Sequence, residues 1–215
     1  AGGIGHTLSG PKPWTDKRIL DDPREFRFAI VSDRTGGARK GYFEKAMGCL
    51  NLLRPSFVMS VGDLIPYGWL KEPQVRQQHR ELEADTKKIV PPFFYVVGNH
   101  DIAPSQRSPK GLERANEIST AVWKDVHGSD TYYSFKYKGC LFVALNTIDG
   151  VTLGSKHQNI SDRQYEWFRR TLAADPDVPV LVRGDERLDY GSVMAVVKVV
   201  YNCKVRRMAL VTVEK

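Results

Sequence analysis

Three stretches of this 215-residue chain end apolar runs in side chains that can bind a metal ion or move a proton. FRFAIVSD (26–33) stops at the Asp33 carboxylate, FVMSVGD (57–63) at Asp63, and FFYVVGNHD (93–101) at Asn99, His100 and Asp101. Oxygen and imidazole donors held on rigid supports suit hard divalent cations. A carboxylate on the middle of three adjacent strand ends can bridge two ions about 3.5–4 Å apart. Asp63 is placed for that bridge, with Asp33 holding one ion and the Asn99 side-chain carbonyl the other. His100 can give a proton to a leaving alkoxide, and Asp101 can orient its ring. Arg34 follows the first aspartate and can meet a phosphate oxygen bidentately.

These tips need elements to bring them together. GYFEKAMGCLNLL (41–53) has helical spacing, with Phe43, Met47, Leu50 and Leu53 on one face. VRQQHRELEADTKKI (75–89) reads as a charged amphipathic helix stopped by Pro91 and Pro92. Buried strands alternating with helices predict a parallel sheet with right-handed crossovers, whose ligands sit beyond the carboxyl ends of the strands. Residues 1–24, rich in Gly and Pro, read as a flexible N-terminal arm. A loop over 102–118 and a short helix over ISTAVWKDVHG come next. TYYSFKYKGCLFVALNT (131–147) alternates around Lys138-Gly139, the pattern of an antiparallel hairpin. In ISDRQYEWFRRTLAAD, Ser161 is a good N-cap, and Tyr165, Phe168 and Leu172 share a face. VPVLVRGD, YGSVMAVVKVVYNC and RRMALVTV read as strand, helix and strand.

The net charge of +7, from 32 Lys and Arg against 25 Asp and Glu, suits an anionic ligand such as a phosphate ester. The cations are scattered, without a basic block or an aromatic-interleaved stripe, so a solvated basic surface is expected rather than a nucleic-acid site. Cys49, Cys140 and Cys203 lie far apart, which argues against a disulfide framework or a zinc knuckle. The first two are expected as packed thiols. His79 is expected to be solvated on its charged helix, and His127 and His157 to be surface loop residues. No apolar run approaches the roughly 18 residues of a membrane span. The opening AGGIGHTLSGPKPW lacks the regions of a signal peptide, which processing would remove, so an exported and a cytoplasmic bacterial location both stay open.

SDRTGG (32–37), GDL (62–64) and GNHD (98–101), at the ends of successive strands, resemble the calcineurin-like metallophosphoesterase family. The spacing fits too, as do the later hairpin and the ISDRQYEWFRRTLA helix, so the resemblance covers about residues 25–175. It implies an α/β sandwich of two β-sheets flanked by helices. Two divalent ions (Mn, Fe, Zn or Mg) would act on a small phosphomono- or diester, or a single ion where ligands are missing. Asp33 and Asp63 would hold one ion, Asp63 and Asn99 the other, and His100 would act on the leaving group. The chain departs from this pattern. Thr35 stands where the family usually has a histidine, and PVLVRGDERLDYG replaces a strand that should end in one. Residues 176–215 resemble instead the end of the ExbD/TolR family, small periplasmic partners of membrane motors. The expected organisation is therefore an arm (1–24), a phosphoesterase-like domain (25–175) and a C-terminal β-α-β unit (176–215) that completes a truncated sandwich. An inactive module or chimera, whose C-terminal unit serves structure or partner binding, is the alternative to an enzyme.

Overall fold

The computed structural model describes residues 5–6, 13–15, 25–32, 34–35, 37–66, 71–102, 109–150, 154, 160–174, 177, 179–183, 190–203, 205 and 208–211. In chain order the elements begin with β1 (Gly5–His6), β2 (Phe28–Val31), α1 (Tyr42–Leu53), β3 (Phe57–Ser60) and α2 (Glu72–Thr86). Then come β4 (Phe93–Phe94), α3 (Asn99–Ile102), α4 (Pro109–His127), β5 (Tyr133–Tyr137) and β6 (Cys140–Ala144). The last four are α5 (Asp162–Ala173), β7 (Val180–Arg183), α6 (Tyr190–Asn202) and β8 (Met208–Val211). The chain forms two compact units: residues 8–133, and residues 134–215 joined by residues 2–7.

The first unit is built on a parallel sheet in the order β2-β3-β4, with Phe28 opposite Phe57 and Val58 opposite Phe93. The helices alternate with these strands, as the sequence pattern requires. The middle and last strands are the most enclosed: Phe57, Val58, Phe93 and Phe94 are fully buried. The Phe57 ring lies 5.3 Å from Phe28 and 5.2 Å from Phe94, so aromatic packing adds to the apolar burial. The β4 ladder is short because Ser60 replaces it: the Val96 N–H donates to the Ser60 Oγ at 2.8 Å. This satisfies a buried backbone donor where the regular ladder stops.

Part of the stretch expected as an arm is tied to this sheet. The Thr15 N–H donates to the Phe93 carbonyl and the Tyr95 N–H to the Pro13 carbonyl, both at 3.0 Å, and Trp14 is buried against Phe94. In α1, Met47 and Leu50 are buried as expected, but Leu53 is exposed, because the helix ends there in a left-handed Arg54. The short helix expected after residue 118 is the second half of a longer one. α4 starts at Pro109, whose fixed φ and missing N–H suit a first helical position.

The two histidines expected in solvent are buried between α2 and α4. Val75, His79, Leu82 and Thr86 form the inward face of α2, and His127 lies on the last turn of α4. The His79 Nδ1 and the His127 Nε2 face each other at 3.1 Å, with Trp123 against both rings and Tyr95 against His127. Arg76, one turn earlier, pairs with Glu72 on α2 and Asp125 on α4. His157 lies outside the described residues.

In the second unit β5 and β6 form the expected hairpin. Its turn residues, Lys138 (φ 46°) and Gly139 (φ 76°), both take positive φ, the twist a two-residue hairpin favours. β1 pairs antiparallel with β5, Gly5 opposite Lys136. Ser161 caps α5 by accepting the Gln164 N–H, and the Asp149 carboxylate holds that cap through the Ser161 N–H and O–H, both at 2.7 Å. β7 and β8 pair in parallel around α6, Val180 opposite Met208. Ile160, Phe168, Leu172, Val199 and Val200 form the core of this unit. Cys49 and Cys140 are exposed free thiols rather than packed ones. Among the described residues no helix is long and apolar enough to cross a membrane.

Candidate functional site

The site is made where β3 and β4 run out. Gly62 and Gly98 press together there: a Cβ on Gly62 would sit 2.5 Å from the Gly98 backbone, and one on Gly98 would land on the Asp63 carboxylate and main-chain nitrogen. Only residues without a side chain allow so close an approach. Gly98→Ala therefore should cost about 1–3 kcal/mol through overpacking and push Asp63 aside, with thermal unfolding and cation titration as the measurements.

Asp63 itself is held in the left-handed region (φ 54°), a conformation that a non-glycine residue keeps only when its surroundings enforce it. Its main-chain groups are engaged on both sides. The carbonyl accepts the Thr35 hydroxyl at 3.1 Å, and the N–H donates to Asp101 at 2.9 Å. The side-chain Oδ1 accepts the main-chain N–H of His100 at 3.0 Å. The Asp63 carboxylate thus meets the backbone of His100. Asn99 is exposed at the start of α3 and His100 is partly buried beside it. Asp33 lies outside the described residues.

The ring of His100 is oriented differently from the sequence-based expectation. Its Nδ1–H donates to the Pro66 carbonyl at 2.8 Å, so a carbonyl rather than the Asp101 carboxylate orients it. A carbonyl can only accept, which puts the lone pair of the neutral ring on Nε2. Asp101 has another task. Fully buried, it accepts four backbone N–H groups: Asp63 (2.9 Å) and Gly98 (2.6 Å) on Oδ2, Leu64 (2.9 Å) and Ile65 (3.0 Å) on Oδ1. Burial, reinforced by the neighbouring Asp63 carboxylate, pushes the Asp101 carboxyl up to about 7 even though the backbone donors draw it down. The GNHD letters hold only one of these donors, Gly98, and the other three lie 36 to 38 residues upstream.

Arg34 is drawn toward α2. Its guanidinium donates to the Leu64 carbonyl at 3.2 Å and to Asp85 at 2.7 Å, and stacks over the Phe43 ring. Thr35, at the position where a histidine would serve as ligand, is buried with its hydroxyl on the Asp63 carbonyl. β7 ends at Arg183, and Asp185 beyond it lies outside the described residues.

Among the described residues no group of three or more His, Cys, Asp or Glu gathers to hold a metal ion. The Asp63 carboxylate and the Asn99 amide are oxygen donors of the type a hard divalent ion takes.

No curated protein matches the chain. The family profile described as Calcineurin-like phosphoesterase matches residues 26–202, spanning the strand ends that carry Asp63, Asn99 and His100. Taken with the mixed α/β architecture and the parallel sheet behind those strand ends, the match shows that the chain belongs to the calcineurin-like phosphoesterase family.

Proposed function

We propose that the chain is a metal-dependent hydrolase of phosphomono- or diesters, working at the ends of β2, β3 and β4. Asp33 and Asp63 would hold one divalent ion, and Asp63 and Asn99 a second. When bound, such ions neutralise phosphoryl charge and make water acidic enough to attack. His100 would take up a proton on its Nε2 lone pair from water and, as the imidazolium, give it to the departing oxygen, its ring kept in place by the Pro66 carbonyl. Arg34 would contact a phosphate oxygen through N–H donors beyond the two contacts that tie it to Leu64 and Asp85. The net charge of +7 favours an anionic ester over a neutral one.

The observation that carries this reading is the 3.0 Å hydrogen bond joining the Asp63 carboxylate to the backbone of His100. It supports the reading by joining the carboxylate that would hold the cation to the backbone of the residue that would carry the proton. Calorimetric titration with Mn²⁺ tests it. The wild type should bind, Asp63→Ala should lose at least about tenfold in affinity, and p-nitrophenyl phosphate hydrolysis should fall with it. Equally poor binding by both proteins would sink the proposal.

One observation favours a second reading, an inactive module of the same fold. The Thr35 hydroxyl, at the position where the family usually has a histidine, is committed to the Asp63 carbonyl. On that reading the β7–α6–β8 unit, carried by the ExbD/TolR-like segment 176–215, serves structure or partner binding. Mn²⁺ binding without hydrolysis is its expected signature.

A further inference from the structure

We infer that Asp101 is a positioning residue that sets the affinity of the site for its cation by locking the backbone of Asp63, without touching the cation. The inference rests on the phosphoesterase reading above and adds a residue to it. A left-handed aspartate relaxes unless its neighbours hold it, and a relaxed Asp63 would aim its carboxylate elsewhere. Asp101 supplies the restraint. One buried carboxylate gathers the N–H groups of Asp63, Leu64 and Ile65 from the β3 loop and that of Gly98 from the β4 end. Its two oxygens divide the work: Oδ2 bridges the two strand ends, and Oδ1 folds the residues after Asp63. The same clamp brings the His100 N–H to the Asp63 Oδ1. Both carboxylate oxygens are needed, because each accepts two donors.

Asp101→Asn keeps the volume but turns one of those oxygens into an N–H₂ group. Whichever way the amide is turned, two backbone N–H groups then face a donor. The Mn²⁺ dissociation constant should rise about tenfold or more, the range seen when groups behind metal ligands are altered. A residue that merely supports the fold would do the reverse, lowering the folded fraction while leaving the dissociation constant of the folded protein unchanged. A constant within twofold of wild type overturns the inference while the Asp63→Ala control still binds weakly. If the wild type itself shows no Asp63-dependent binding, the phosphoesterase reading falls and takes this inference with it.

Amide hydrogen exchange on the wild-type protein keeps the test independent of whether the variant folds. The N–H groups of Asp63, Leu64, Ile65 and Gly98 should be protected before any Mg²⁺ is added. Free exchange that becomes slow only with Mg²⁺ would mean that the cation organises the loops, and the inference would be wrong.

Discussion

Taking the protein from about pH 7.5 to about pH 4 should remove about 3 kcal/mol of folding stability through His79 alone. Burial holds His79 down at about 4, with the neighbouring Arg76 charge acting in the same sense, while in the unfolded chain it titrates near 6.5. Above pH 6.5 the ring is neutral in both states and makes no pH-dependent contribution. Below it the unfolded chain takes up a proton that the folded protein refuses, so stability falls at about 1.4 kcal/mol per pH unit. The fall ends near pH 4, where the folded ring also protonates. His127, lowered by burial and by His79, adds to the loss in the same direction. Neither ring has a carboxylate partner among the described residues, so no counter-charge offsets a buried imidazolium.

Asp101 works against this trend. Its raised folded pKa means that the folded protein binds a proton first as pH drops from about 7, which adds stability. The imidazole contribution is therefore read as a difference. His79→Gln should be less stable than wild type at pH 7.5, and that gap should move about 3 kcal/mol in favour of the variant by pH 4. Denaturant unfolding at the two pH values checks it, and a gap independent of pH would show that His79 titrates normally. A loss of this size matters against a typical total of about 5–15 kcal/mol.

The second large effect concerns His100. Replacing it with alanine should cut turnover by about 10²–10⁴-fold, the usual contribution of a positioned general acid. Cation binding should survive, because the group that meets the Asp63 carboxylate is the backbone N–H of residue 100, which the substitution leaves in place. The leaving group provides the sharper check. p-Nitrophenolate departs readily without a proton, whereas the oxyanion of phenyl phosphate needs one. The His100→Ala defect should therefore be larger on phenyl phosphate. Equal defects on both esters would assign His100 to binding rather than to proton transfer.

The sequence by itself determined the features whose causes are local. Apolar runs ended by Asp63 and by Asn99–His100 specify buried strands with polar tips. Lys138-Gly139 turns a hairpin because both residues accept positive φ, and Ser161 starts a helix because its hydroxyl meets the N–H three residues on. Spacing also held a signal that was missed: Val75, His79, Leu82 and Thr86 recur at helical intervals, which marks His79 as inward-facing even on a charged helix. The tertiary structure alone decided the partners of the polar groups. Arg34 turned to Asp85, 51 residues away, His79 to His127, 48 away, and Asp101 to backbone donors 36 to 38 residues upstream. Periodicity and capping act within a turn or two of chain. The partner of a buried charge is whatever donor the fold brings within about 3 Å, and that is settled only when distant strands pack.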